Sequence, residues 1–150
     1  MILEAHGLRA KLPTRWSGRL FSVAEGAATL HAGSFQVALD DGQFGDRSTG
    51  LMPAAGAFLA LTEYRPGNGL EPGVGLFAAR RLPRRLDPAS FAPTGLAHPR
   101  PGQRGMQHFF TVSGRPFCLY VVIAGDRRSL RRHLPIVDHV LASVRIAPRG

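Results

Sequence analysis

The order of hydrophobic and polar positions along the chain predicts a series of short strands. Apolar and basic residues alternate over 7–12 and end at Pro13, which is typical of a half-buried strand. Further short strands are predicted at residues 20–23, 29–31 and 35–39. Residues 57–64 begin with five apolar side chains, which indicates a strand buried on both faces. The stretch 42–56 between these strands is expected to be an irregular loop.

The clearest local pattern is a β-hairpin formed by residues 106–112 and 115–124, with Ser113 and Gly114 as its two-residue turn. The register then places Val112 opposite Arg115, Phe110 opposite Phe117, His108 opposite Leu119, Phe109 opposite Cys118 and Gln107 opposite Tyr120. Both faces of this hairpin are largely apolar, so we expect both to be covered.

The C-terminal segment carries apolar residues at alternating steps of four and three, the spacing of one helix face. These residues are Leu130, Leu134, Val137, Leu141 and Val144. Asp126 is a suitable N-cap. A proline inside a continuous helix costs ~3 kcal/mol, so the main helix is predicted to restart at Pro135. The prediction is an α+β fold, with an antiparallel sheet and this helix packed on one face.

Five prolines between residues 82 and 105 exclude a long helix there, and one helical turn is predicted at 88–91. A length of 150 residues fits a single domain, 1–150. No run approaches the ~20 apolar residues of a membrane span, and the N-terminus lacks an export signal. We therefore expect a cytoplasmic protein without membrane insertion. A lone Cys118 excludes an internal disulfide.

Positive charge is concentrated in the second half of the chain. Residues 1–75 hold six basic and seven acidic residues, whereas residues 76–150 hold thirteen arginines and three acids. The arginines form a predicted partner-binding patch in three clusters: Arg80, Arg81, Arg84 and Arg85; Arg100 and Arg104; Arg127, Arg128, Arg131 and Arg132. Such clusters suit an acidic partner or phosphates.

Candidate catalytic motifs have weak support. Gly73-Val74-Gly75-Leu76-Phe77-Ala78 matches a dinucleotide fingerprint, but Pro72 and Pro83 deny it the required strand and helix, so a glycine-rich loop entering a strand is favoured. Cys118 has no base placed beside it and is interpreted as a small buried hydrophobe. No catalytic residue and no cofactor are predicted.

Metal ligands are equally scattered. The six histidines include no pair four residues apart, so His108 is interpreted as structural and the other histidines as solvent-facing. Asp40, Asp41 and Asp46 share a loop but lack the spacing of a calcium site, which favours a solvated turn. No metal is predicted.

Both ends of the chain resemble the PsbP-like superfamily. Leu12-Pro13-Thr14-Arg15-Trp16 resembles its strand and Pro-x-x-Trp-like corner, where the family more usually has Pro-x-Gly-Trp, and 141–146 (Leu-Ala-Ser-Val-Arg-Ile) resembles its helix and short terminal strand. The resemblance covers most of residues 4–147 and implies an α/β/α sandwich with a binding or assembly role. No functional residue is carried over, and Trp16 is interpreted as a core anchor.

These observations favour a non-enzymatic accessory subunit that uses its arginine-rich surface against an acidic protein. Two alternatives remain: a basic protein associated with nucleic acid, and an enzyme whose site is assembled from histidines and the Asp40–Asp46 loop. The oligomeric state is not indicated by the sequence.

Overall fold

The computed structural model describes residues 1–23, 26–67 and 69–149. Within these residues, eight strands and two α-helices give the expected α+β fold. The strands are β1 (Ile2–Ala5), β2 (Leu8–Lys11), β3 (Ser17–Ser22), β4 (Ala28–Gly33), β5 (Ala57–Glu63), β6 (Gln103–Val112), β7 (Arg115–Ala124) and β8 (Arg145–Ile146), and the helices are α1 (Asp46–Leu51) and α2 (Arg127–Ser143). They form an antiparallel five-stranded sheet, β3-β4-β5-β7-β6, and a three-stranded sheet, β1-β2-β8.

The β6–β7 hairpin confirms the predicted turn and register. Val112 pairs with Arg115, and every predicted cross-strand pair is present. Ser113 and Gly114 both have positive φ, 56° and 72°, as a type I′ turn requires. β5 and β7 occupy the interior of the five-stranded sheet and are buried along their whole lengths, because both faces of the sheet are covered.

Helix α2 packs its apolar stripe on one face of the five-stranded sheet and against β2. All five residues of the predicted stripe are buried, and the Asp126 carboxylate caps the helix by accepting bonds from the amides of Arg128 and Ser129. Trp16 joins this core, as expected.

The predicted restart of the helix at Pro135 is wrong, because α2 continues through it. Pro135 lies on the exposed face together with Arg131, whose carbonyl loses its helical partner. Water can satisfy that carbonyl, so the interruption is tolerated at this position.

Three other predictions from the first half of the chain are corrected. Residues 35–39 are not a strand, because the hydroxyl groups of Ser17 and Ser48 bond to their backbone in place of a neighbouring strand. The expected loop 42–56 contains α1, and β1 was not predicted at all. The glycine-rich motif enters a 3₁₀ turn, Gly75–Phe77, and not a strand.

The segment 79–92 forms an arch that positions the first arginine cluster. Both of its ends contact β6. At the first end the Thr111 amide donates to the Ala79 carbonyl, and at the second end Ala92 pairs with Gly105. Between these points it runs along α2, and its predicted helical turn is present as the 3₁₀ helix Pro88–Ser90. Within the described residues, no helix is both long and apolar enough to cross a membrane.

Candidate functional site: a basic cleft beside the C-terminal helix

The Cys118 thiol is enclosed in the sheet, as the sequence predicted. Its side chain is fully buried in the middle of β7, between Thr62 and Phe109 on the neighbouring strands. Burial raises the pKa of Cys118 to about 12, so the thiolate does not form at neutral pH. A nucleophilic role for this cysteine has no geometric basis.

Two histidines expected to face solvent are buried, so that prediction is wrong. His31 Nε2 lies 2.9 Å from the Gln43 carbonyl oxygen, and His133 Nε2 lies 2.6 Å from that of Ala55. Desolvation lowers the pKa of His31 and keeps it neutral. His108 is half-buried and stacks on Phe110. In the described parts of the chain, no three His, Cys, Asp or Glu residues cluster as a metal site.

The aspartates of the 40–46 loop organise the local backbone and do not converge on a ligand. The Asp41 carboxylate accepts bonds from the amides of Gly42, Arg47 and Ser48, and so caps α1. Desolvation opposes ionisation of Asp41, but these bonds and the Ser48 hydroxyl hold its pKa below the usual value. Asp46 instead binds Arg100 and lies near His98. The loop thus caps α1 through Asp41, while Asp40 and Asp46 remain exposed, as expected of a solvated turn.

A cleft lies at the C-terminal end of α2, where three predicted arginines meet a fourth. We define the basic cleft by its lining: Arg80, Arg81, Leu82, Pro83, Arg84, Val112, Val144, Arg145 and Ile146, around a cavity of ≈ 550 Å³. The arch brings the first three arginines to this end of the helix, and β8 brings Arg145. Each of the four guanidinium groups belongs to an exposed residue.

Arg84 and Arg145 are held in place by the last turn of α2. The Arg84 guanidinium donates to the carbonyl oxygens of Ala142 (2.8 Å) and Leu141 (3.3 Å), and Arg145 donates to those of Ala142 and Val144. Cations are favoured at this end of a helix because it carries about half a negative charge. Both side chains keep further N–H donors, since a guanidinium has five.

The basic cleft carries positive charge that no described carboxylate neutralises. No carboxylate lines it, and none of its four arginines forms an ion pair with a carboxylate among the described residues. The partial negative charge of the helix end is small beside four guanidinium groups. The cleft therefore attracts anions.

A separate hollow of ≈ 430 Å³ adjoins the basic cleft. We call it the side hollow; it is lined by Pro72, Gly73, Val74, Arg80, Thr111, Val112, Ser113 and Gly114. Arg80 and Val112 line both cavities, so the two cavities meet at these residues. The Gly73 amide donates to the Thr111 hydroxyl, which holds the glycine-rich loop against β6.

The remaining predicted arginines do not join this site. Arg104, Arg127 and Arg131 line a second groove of ≈ 500 Å³ at the other end of α2, together with Pro88, Ala89, Phe91 and Leu130. Arg100 binds Asp46 on a different part of the surface. Arg85, Arg128 and Arg132 are exposed and line neither groove. The predicted patch thus divides among separate surfaces, with Arg104 of the second cluster joining the third cluster and Arg100 lying elsewhere.

Six positions in the lining of the cleft were not predicted from the sequence: Leu82, Pro83, Val112, Val144, Arg145 and Ile146. Arg145 stands alone among apolar residues, so no charge cluster marks it, and Val144 was assigned only to the helix core. Their common location depends on the arch and on β8 meeting the end of α2, which no local pattern encodes.

Comparison with protein-family models, with curated proteins and with solved structures gives no match.

Proposed function

We propose that this protein is a binding subunit that docks an acidic protein partner in the basic cleft. The observation that carries the proposal is the convergence of Arg80, Arg81, Arg84 and Arg145, without a described carboxylate, around an apolar floor. Two of these guanidinium groups are already oriented by α2. A partner therefore meets donors whose ordering costs little on binding.

The lining of the cleft supports a protein over a nucleic acid. Binding of single strands commonly uses aromatic side chains as stacking platforms for bases. No aromatic residue lines the basic cleft or the side hollow. Phe91 lines the second groove, but only 6% of its surface is exposed, which leaves no free ring face. Guanidinium groups around aliphatic side chains suit carboxylates next to apolar residues.

Two residues of the alternative enzymatic site are already engaged by other groups. His31 bonds to the Gln43 carbonyl, and the Asp41 carboxylate is occupied by the amides that it caps. The proposed role agrees with the binding or assembly function implied by the PsbP-like resemblance, which stays a prediction. It also keeps the cytoplasmic location that the sequence leads us to expect.

The test compares two variants of the full chain that each lose two positive charges. R80Q/R81Q removes the two cleft arginines that bond to nothing in the described structure, and R128Q/R132Q removes two exposed arginines outside both grooves. Arg84 and Arg145 are left intact because they cap α2. Each protein is recovered from its native cells at several salt concentrations, with and without nuclease, and bound proteins are identified.

The expected result is an acidic protein that remains with the wild type and with R128Q/R132Q after nuclease treatment. Its recovery with R80Q/R81Q should fall at least tenfold, and the loss should appear at lower salt, because contacts of exposed charges are screened over ~10 Å at 0.1 M salt. Equal loss in both variants, or release by nuclease, contradicts the proposal.

A further inference from the structure

The basic cleft and the side hollow adjoin each other and together form one depression. Cavities of ≈ 550 Å³ and ≈ 430 Å³ share Arg80 and Val112. Pockets for small ligands usually measure ~300–1,000 Å³, so each part alone can hold a large side chain with adjoining backbone. A shape of two connected cavities suits an extended chain better than a single compact molecule.

The floor of the basic cleft is apolar and rigid. Leu82 and Val144 are buried and belong to the main core, whereas Val112 and Ile146 are half-buried and pack against it. These four residues come from the arch, from β6, from β8 and from the end of α2. Because each is held by the core, the floor is present before a ligand arrives, and the exposed parts of Val112 and Ile146 can gain from an apolar contact.

The rim combines fixed and adaptable donors. Arg84 and Arg145 are bonded to the last carbonyls of α2, while Arg80 and Arg81 form no bond with any described residue. Fixed guanidinium groups define where carboxylates bind, and the free ones can follow the partner. Arg80 stands where the two cavities meet, so charge continues along the depression.

We infer that the cleft recognises an extended acidic peptide segment with an aliphatic anchor residue, which lies on the floor between flanking carboxylates. This inference rests on the proposed function and adds to it the chemical class of the recognised segment. Charge complementarity selects the acidic residues, and the apolar floor selects the anchor. An acidic surface that lacks an apolar side chain satisfies the first of these features but not the second.

The test uses four synthetic nine-residue peptides in a two-by-two design. They have either aspartate or asparagine at the flanking positions, and either leucine or serine at the centre. Binding to the full chain is measured by isothermal titration calorimetry at low and at physiological salt. The aspartate peptide with leucine should bind at least tenfold more tightly than the aspartate peptide with serine, because burying one leucine is worth about a factor of ten or more.

Two protein variants connect the anchor to the floor. I146T changes a half-buried floor residue, and the control I136T makes the same change at an exposed position on α2. I146T should lower the affinity for the leucine peptide several-fold and leave the affinity for the serine peptide unchanged. I136T should change neither affinity. Thermal unfolding of both variants shows whether a loss of binding reflects a loss of folded protein.

Three results would overturn the inference. Equal affinity for the leucine and serine peptides would show that an aliphatic anchor residue is not recognised. The proposed binding of an acidic partner would still stand. Binding of no peptide, with the acidic partner still lost in R80Q/R81Q, shows that the cleft uses a folded acidic surface. Displacement of the peptide by a single-stranded oligonucleotide of equal charge assigns the cleft to nucleic acid, and contradicts the proposed function as well.

Discussion

Glu63 carries a charge that is buried within the fold. Its carboxylate is completely buried at the end of β5, where it binds Arg115 through two bonds of 3.0 Å and also accepts from Arg149 and from the Ala28 amide. Desolvation raises the pKa of Glu63, but bonds from Arg115, the Ala28 amide and Arg149 outweigh it and hold the pKa below its ordinary value. Through Arg115 and Arg149, Glu63 links β5 to the β6–β7 hairpin and to the C-terminal residues.

Glu63→Gln should destabilise the protein strongly at neutral pH. It leaves the buried Arg115 without a counter-charge, and breaking a buried pair in this way costs about 3–5 kcal/mol. Because the folded pKa is lowered, the contribution of Glu63 is complete above its ordinary pKa of 4.5 and is lost as pH falls below it. The measurement is urea unfolding from pH 7 to pH 3.

The control for this substitution is Glu4→Gln, which breaks an exposed pair with Arg9 and should change stability by less than about 1 kcal/mol. The difference between wild type and Glu63→Gln should shrink below pH 4.5. A difference that stays constant down to pH 3 would show that the charge of Glu63 is not what the fold uses.

Burial was predicted correctly for apolar residues that pack among other apolar residues. Cys118 and Trp16 are buried as predicted; Cys118 stands in an apolar strand, and Trp16 is itself a large apolar side chain. Glu63, His31 and His133 are also buried; the two histidines were expected to face solvent, and no prediction was made for Glu63. Their burial depends on partners from distant parts of the chain, such as Arg115 for Glu63 and the Ala55 carbonyl for His133, and a single sequence does not reveal those partners.

At the scale of elements, two-residue turns and amphipathic stripes were predicted accurately. The β6–β7 register follows from one turn, and the α2 stripe follows from its spacing. Segments whose backbone is held by hydrogen bonds from side chains were not predicted correctly. The segment 35–39 looked like a strand but bonds to Ser17 and Ser48, and α1 forms where Asp41 caps it from outside the helix.

Pro135 gives a prediction at this scale. Pro135→Ala should raise the free energy of unfolding by about 1–2 kcal/mol. It restores a helical bond to the Arg131 carbonyl, and proline is ~3 kcal/mol less favourable than alanine inside a helix. Part of that gain is offset because alanine leaves the unfolded chain more freedom. Chemical denaturation measures the change.

The matched control is Arg132→Ala, an exposed position in the same helix, where the change should stay within about 0.5 kcal/mol. Unchanged or lower stability in Pro135→Ala would mean that the proline fits a break in the helix, as the sequence had suggested, and not the continuous α2 described above.

At the scale of the whole molecule, the sequence shows that positive charge is concentrated in the second half, but it does not predict how that charge is arranged on the surface. Clusters that are separate in sequence, such as 80–85 and 127–132, lie toward opposite ends of α2, a 17-residue helix about 25 Å long. The arch determines this separation, and it is fixed by contacts with Thr111, Gly105 and Asp138. The cleft itself could not be predicted because its floor comes from four different elements.

The central claim, that an acidic segment occupies the basic cleft, is tested most directly by an NMR titration of the ¹⁵N-labelled full chain with the aspartate peptide that carries leucine. Saturable shifts should appear at the backbone amides of 80–82, 111–114 and 144–146 and at the side-chain Nε–H groups of Arg80, Arg84 and Arg145. Shifts centred on Arg104, Arg127 and Arg131, or spread in proportion to surface charge without saturation, would contradict the account.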